Sequence, residues 1–187
     1  SEKEKIRASE KNAIAKEAVK LIGDNDSIIL ASGTTILAVA KRIQAESRLN
    51  VITSALNVSL ELTQHDNVEI LQLGGQLRPS STSVVGSYAE QFLEDITCGI
   101  LFLGVDGIDL DHGLTTSNLM EASLNQKFIE VAQYTVVVAD HTKFGKRGFS
   151  RICGLDNIQH IITDDGVSPD TIKSLEEIGI QVTIAST

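Results

Sequence analysis

The sequence predicts an α/β domain with a mostly parallel central sheet and helices on both faces, and three observations carry that reading. Short segments such as "GILFLGV" (99–105) and "YTVVVAD" (134–140) are rich in Val, Ile and Leu at successive positions. Strands covered on both faces need that composition. Between them lie segments whose apolar residues recur at helical spacing. Finally, polar loops follow five of the strands, where α/β sheets carry their ligands.

Taken in order, residues 3–22 read as a helix whose second half buries Ile14, Ala18, Leu21 and Ile22 on one face. Its first turns are nearly all polar, so residues 1–9 read as a linker stub and 10–187 as the domain proper. The stub is expected to project or fray, because a charged helix start has little to bury. "GDND" (23–26) ends the helix, and a strand follows at 27–31. The alternation continues with helix 35–46, strand 50–54, helix 55–65, strand 68–73 and a glycine-marked loop at 74–86. A helix near 85–95, strand 99–105, a loop to 116 and helix 118–132 come next. Strand 134–140, a loop, strand 160–165, helix 169–178 and a final strand, "IQVTIA", complete the chain. Only Pro79 and Pro169 punctuate it, and there is no internal repeat.

The 187 residues suffice for one domain with a substantial core. A net charge of −9, from 25 acidic and 16 basic residues, argues against a free-standing nucleic-acid binder, which needs a basic face. No apolar run approaches the length that spans a bilayer, and the charged N-terminus lacks the apolar centre of a signal peptide. Cys98 and Cys153 stand 55 positions apart without a C-x-x-C pairing, as expected of reduced thiols in a cytoplasmic protein. His65, His112, His141 and His160 lack ligand spacing, so neither a structural metal nor a cofactor is expected.

Four loops carry candidate chemistry. In "SGTT", Ser32, Gly33, Thr34 and Thr35 lead from a strand into a helix, whose first-turn N–H groups lack intrahelical partners. That arrangement suits a phosphate, though Ser32 or Thr34 could equally be an ordinary N-cap. No lysine follows in P-loop spacing. In "LGGQLRPSSTSVVGSYAE" (73–90), Gly74 and Gly75 end a strand, Arg78 can grip an anion, and Ser80 to Ser83 offer hydroxyls. A mobile surface loop would have a similar composition. "GVDGIDLDHGLTTSNLMEAS" (104–123) carries Asp106, Asp109, Asp111 and Glu121. Such carboxylates orient sugar hydroxyls or move protons, whereas Asp109 could be a turn former and Glu121 a capping-box partner of Asn118. "VVADHTKFGKRGFS" (137–150) places Asp140 and Lys143 beyond the sheet edge, where lysine neutralises phosphate unless the two merely pair.

In this order, "SGTT", "LGGQLRPSSTSVVGSYAE", "FLGVDGID…GLTTSN…E" and "VVADHTKFG" resemble the C-terminal effector-sensing domain of the DeoR family of bacterial transcriptional regulators. The likeness runs through almost all of residues 10–185. It implies a fold similar to ribose-5-phosphate isomerase and the CoA-transferases, and a phosphorylated sugar or related metabolite as effector. It also implies control of operator DNA through an N-terminal winged helix-turn-helix, with the present chain as the sensor part. Carried onto this sequence, ligand contact falls on Ser32, Gly33, Thr34, Thr35, Gly74, Gly75, Arg78, Ser83, Gly86, Asp106, Gly107, Asp109, Thr115, Thr116, Glu121, Asp140 and Lys143. A symmetric homo-oligomer is expected, because sensors of palindromic operators tend to be symmetric. The rival reading is an isomerase: "DGID" (106–109) resembles that enzyme's Asp-Gly-x-Asp element. Its Lys-Gly-Gly-Gly segment is replaced by "HGLTTSN", which argues against turnover.

Overall fold

The computed structural model describes residues 2–187. The chain runs through α1 (Glu2–Lys5), α2 (Ala8–Lys20), β1 (Ser27–Leu30), α3 (Thr34–Lys41), β2 (Leu49–Thr53), α4 (Leu56–Leu62) and β3 (Val68–Gln72). A hairpin follows, β4 (Gln76–Arg78) and β5 (Ser83–Val85), then α5 (Ser87–Phe92) and β6 (Cys98–Leu103). Next come a second hairpin, β7 (Gly107–Asp109) and β8 (Gly113–Thr116), then α6 (Leu119–Val131) and β9 (Ala132–Val138). The last elements are β10 (Ser150–Cys153), β11 (His160–Asp164), α7 (Pro169–Ile178) and β12 (Gln181–Ala185).

Seven strands form one sheet in the order β12–β11–β9–β6–β1–β2–β3, and every pairing in it is parallel. The period of two sorts its side chains into two cores. Ile28, Leu30, Ile100, Phe102, Val136, Val138 and Ile162 face α2, α3 and α4. Ile29, Leu101, Leu103, Val137 and Ile161 face α5, α6 and α7. Both sets are buried, and each such side chain contributes about 1.5–3 kcal/mol by leaving water. No helix among the described residues is long and apolar enough to cross a membrane.

The strand order positions the site. The chain steps from β1 outward through β2 and β3, then returns to the other flank of β1 with β6 and continues outward in the opposite direction. The reversal lies between β1 and β6, and their carboxyl ends open a crevice there. Gly104 allows the two strand ends to approach, since a Cβ on it would lie 3.1 Å from the Ser32 carbonyl oxygen.

Five expectations need correction. The helix over 3–22 is broken at Arg7, which adopts a left-handed φ of 57°. Residues 2–5 do not project; they fold back against α3 as α1, with Glu4 paired to Lys41. Helix 35–46 ends at Lys41, and the helix over 85–95 is α5 followed by a 3-10 turn. The loops at 74–86 and 106–116 both contain antiparallel hairpins, the second joined by β10 into a three-stranded sheet. These strands of three or four residues are too short to show a period. Contact fixes them instead: a Cβ on Gly113 would lie 2.2 Å from the Cys153 carbonyl oxygen, so β10 packs on bare backbone.

Candidate functional site

Helix α3 begins at the crevice without a side-chain cap. Gly33 occupies the N-cap position at φ 127°, ψ 162°, a conformation open essentially to glycine alone. The N–H groups of Thr34, Thr35 and Ile36 precede the first intrahelical bond, in which Leu37 N–H donates to the Gly33 carbonyl. Among the described residues, the hydroxyls of Ser32, Thr34 and Thr35 make no hydrogen bond to protein. By contrast, Asn118 caps α6, accepting from the Met120 and Glu121 N–H groups, and Ser168 caps α7. The alternative that Ser32 or Thr34 is simply an N-cap therefore fails on geometry.

Asp106 follows β6. Its Oδ2 accepts from Thr116 Oγ1 and Ser117 N–H, each at 3.1 Å, which leaves Oδ1 facing solvent without a protein partner. Arg78 and Glu121, expected to serve opposite ends of one ligand, instead meet as an ion pair. Arg78 Nε donates to Glu121 Oε1 at 3.3 Å, and Arg78 Nη2 donates to Ser80 Oγ. With Asn118 as cap, Glu121 faces the arginine rather than closing a capping box. Gly74 borders this hairpin, and Gly86 caps α5, where a Cβ would lie 3.6 Å from Met120 Cε.

Beyond β9, Asp140 is buried and accepts from Thr142 through both N–H and hydroxyl. Burial pushes its carboxyl up, but the Thr142 hydrogen bonds and the Lys143 charge outweigh it, and the group stays below its ordinary range. Lys143 forms no hydrogen bond through its ammonium among the described residues. The two are thus neighbours, not a salt bridge.

Other predicted positions are occupied with holding the scaffold. Asp109 accepts from Asp111 and His112 N–H groups at the β7–β8 tip and pairs with Arg147 at 3.2 Å. Those partners lower its pKa. It is a turn former. Thr115 is fully buried and accepts from Gly148 N–H; Ser83 is buried against Ser81 Oγ. Gly75 and Gly107 admit close backbone, because a Cβ would lie 2.6 Å from the Val85 carbonyl oxygen and 2.5 Å from that of Lys146.

Two features escaped sequence reasoning. Lys11, on α2, is buried, and Asp140 and Lys143 both act on its charge. It shares a cavity of about 270 Å³ with Thr34 and Lys41. The other feature is a clamp: buried Asp164 accepts from His141 N–H at 2.9 Å and His141 Nδ1 at 2.8 Å, which fixes the ring and leaves Nε2 without a hydrogen bond to the described residues. Gly166 packs against that ring, where a Cβ would come within 2.6 Å. Asp140, His141 and Asp164 bring ligand-type atoms within 4.8 Å of one another, yet protein donors already hold both carboxylates. No motif spacing announces either feature, since each joins residues distant in sequence.

A larger cavity, about 470 Å³, lies at the opposite edge among Gly23, Asp24, Asp26, Arg42, Glu46 and Arg48. Helices α2 and α3 end there, so carbonyl-rich, negative helix ends face it, while its three carboxylates are matched by Lys20, Arg42 and Arg48.

The DeoR C terminal sensor domain matches this chain over residues 6–165. This chain belongs to that family. It is 37% identical over 181 residues to a protein of Escherichia coli O157:H7 named as an aga operon transcriptional repressor, covering 97% of this chain and 67% of that one. It is 31% identical over 156 residues to the glycerol-3-phosphate regulon repressor of Haemophilus influenzae, covering 83% and 61%. The chain thus spans about two thirds of the curated relatives it matches, which are named as transcriptional regulators or repressors. Solved structures share its fold at low identity. Ribose 5-phosphate isomerase A of Methanocaldococcus jannaschii superposes with a TM-score of 0.52 at 19% identity, over 73% of this chain and 54% of the other. The eIF2B delta protein of Chaetomium thermophilum reaches 0.59 at 16%, over 83% and 55%. An isomerase and a non-isomerase on one fold leave function to the site.

Proposed function

We propose that this DeoR-family sensor domain binds a phosphorylated sugar, or a related metabolite, in the crevice between β1 and β6. Occupancy there controls DNA binding by a winged helix-turn-helix preceding the domain in the whole regulator. The observation that carries the reading is the uncapped start of α3: three first-turn N–H groups and three hydroxyls without protein partners, at the switch point of the sheet. Phosphate fits because these groups can all donate to it and the dipole favours its charge. Lys143 adds a cation. Asp106 Oδ1 and Glu121 are acceptors suited to the sugar hydroxyls, and His141 Nε2 is a further contact at the same edge. The repressor names of the relatives, one of them referring to glycerol 3-phosphate, agree with this class of effector.

Ligand binding without turnover is the reading favoured over isomerisation. The second carboxylate of "DGID", Asp109, is tied into a hairpin tip by Arg147, and no lysine–glycine segment follows it. A symmetric oligomer in the cytoplasm completes the proposal; size-exclusion chromatography with light scattering checks the oligomer. The functional test is thermal shift across ribose 5-phosphate, fructose 6-phosphate, glucosamine 6-phosphate and glycerol 3-phosphate. A true effector stabilises the native state by mass action, about 2.7 kcal/mol at a hundredfold excess over Kd. Absence of any shift in the panel, or conversion of ribose 5-phosphate at an ordinary enzymatic rate of about 1–10³ s⁻¹, overturns it.

A further inference from the structure

Residues 2–5 form a four-residue helix that buries none of its own side chains. So short a helix does not sustain itself in water. What holds it down is polar. Lys11 Nζ donates to the Lys3 carbonyl at 2.8 Å in a part-buried setting. Lys3 Nζ donates to the Ser80 carbonyl at 3.2 Å, and Lys41 pairs with Glu4 at 3.7 Å, both of these exposed. Exposed pairs stabilise little, so the charge-assisted bond from Lys11 is stronger than either of these two. The strap also borders both the start of α3 and the β4–β5 turn. Glu4 and Lys5 line the cavity shared by Lys11 and Thr34, while Ser80 belongs to the hairpin turn that receives Arg78. Between strap and domain stands Arg7, a non-glycine residue in left-handed backbone, a conformation that persists only while its surroundings enforce it.

Lys11 is poorly matched to its place. It is 7% exposed, and burial disfavours its charge, as does the nearby Lys143 ammonium. Asp140, Glu4 and Glu10 act in the opposite direction, but Asp140 is already engaged by Thr142. Lys11 shares its cavity with Thr34, at the positive start of α3, and lies near enough to Lys143 for the two charges to repel; an anion there would attract Lys11 and relieve that repulsion.

We propose that Lys11 is a latch: its ammonium holds the strap of residues 2–7 against the start of α3 through the Lys3 carbonyl, and an anionic effector draws it away and frees the strap. This rests on the anion site proposed above and adds to it the residue that reports occupancy and the segment that moves. The strap lies at the N-terminal side of the domain, so its release is a signal any preceding segment would receive.

Trypsin reads the strap directly, because Lys5 and Arg7 lie within it. Cleavage after these residues is followed by mass spectrometry on the intact chain, with and without saturating inorganic phosphate and the sugar phosphates of the thermal-shift panel. Calorimetry measures binding in parallel. Where an anion binds, cleavage in the native sequence should rise about tenfold, the population change expected on losing one charge-assisted hydrogen bond. Lys11→Met should be cleaved fast whether or not the anion is present and should bind it at least tenfold more weakly. Lys11→Arg should keep both the slow cleavage and the response. Binding to the native chain with cleavage unchanged or slowed overturns the latch while leaving the anion site standing, as does unaltered affinity in a folded Lys11→Met. Failure of every probe to bind the native chain removes the anion site, and the latch with it.

Discussion

Substituting Gly33 separates backbone strain from charge at the proposed phosphate cradle. At φ 127°, ψ 162° any side chain is strained, yet a Cβ there meets no atom within 4 Å. Gly33→Ala therefore carries the conformational cost alone, about 1–3 kcal/mol. For a domain of this size that lowers Tm by roughly 2–12 °C. Gly33→Asp carries the same strain and adds a carboxylate beside the first turn of α3. A unit negative charge about 5 Å from a phosphate, at an effective dielectric near 20, costs about 3 kcal/mol per phosphate charge. Affinity should fall at least about 100-fold relative to Gly33→Ala. Isothermal calorimetry with inorganic phosphate and with the best sugar phosphate measures both variants; near-ultraviolet circular dichroism verifies that they are folded. If Gly33→Asp binds within about threefold of Gly33→Ala, no anion sits at this helix start, and the reasoning from unpartnered donors is refuted.

Glu121→Gln removes the partner of Arg78 and an acceptor for sugar hydroxyls; calorimetry should show sugar-phosphate binding weakened about tenfold, the order of one charged hydrogen bond, and inorganic phosphate unaffected. Asp109→Asn should leave affinity for both within about twofold, since it alters only the turn hydrogen bonds and the exposed Arg147 pair at a hairpin tip. Burial pushes the Cys153 thiol up to about 11. Iodoacetamide at about pH 8 should then alkylate native Cys153 about 100-fold more slowly than an unperturbed thiol, and rapid labelling would show that this half-buried thiol is not raised. His160 is held neutral by burial between Tyr134 and Thr183, with its pKa below 6.5. The unfolded chain binds the extra proton between those two values, so its contribution to stability falls as pH drops through that window. His65 is raised despite its burial, through Glu61 and the Ile43 carbonyl, and so stabilises in the opposite direction. Melting at about pH 5 and about pH 7.5 should show a smaller acid loss in His160→Gln than in the native chain.

The central sheet was legible because each buried strand declares itself by composition alone, as in "GILFLGV", and loops after strands declare the functional edge. "SGTT" was legible as a candidate but not decidable, because an N-cap and an anion cradle share one sequence. Only the positive φ of Gly33, which aims no side chain at the helix, separates them. The role of Asp109 was hidden because its partner, Arg147, lies 38 positions on and is brought to it by the three-stranded sheet. Arg78 and Glu121 were each visible as polar residues beyond strands, but not as partners. Lys11 was invisible for a simpler reason. On a helix reading "ASEKNAIAKEAVK" it is one lysine among three, and burial by a strap that folds back cannot be inferred from periodicity.

The central claim, that an anionic effector docks where β1 and β6 diverge, is tested most directly by a two-dimensional ¹⁵N–¹H titration with the best-binding sugar phosphate. The account predicts that the largest shifts fall on the amides of Ser32 to Ile36, with further changes at Arg78, Asp106, Glu121 and His141 to Lys143. Shifts confined to Gly23–Asp26 and Arg42–Leu49, around the larger cavity at the opposite edge, would contradict it.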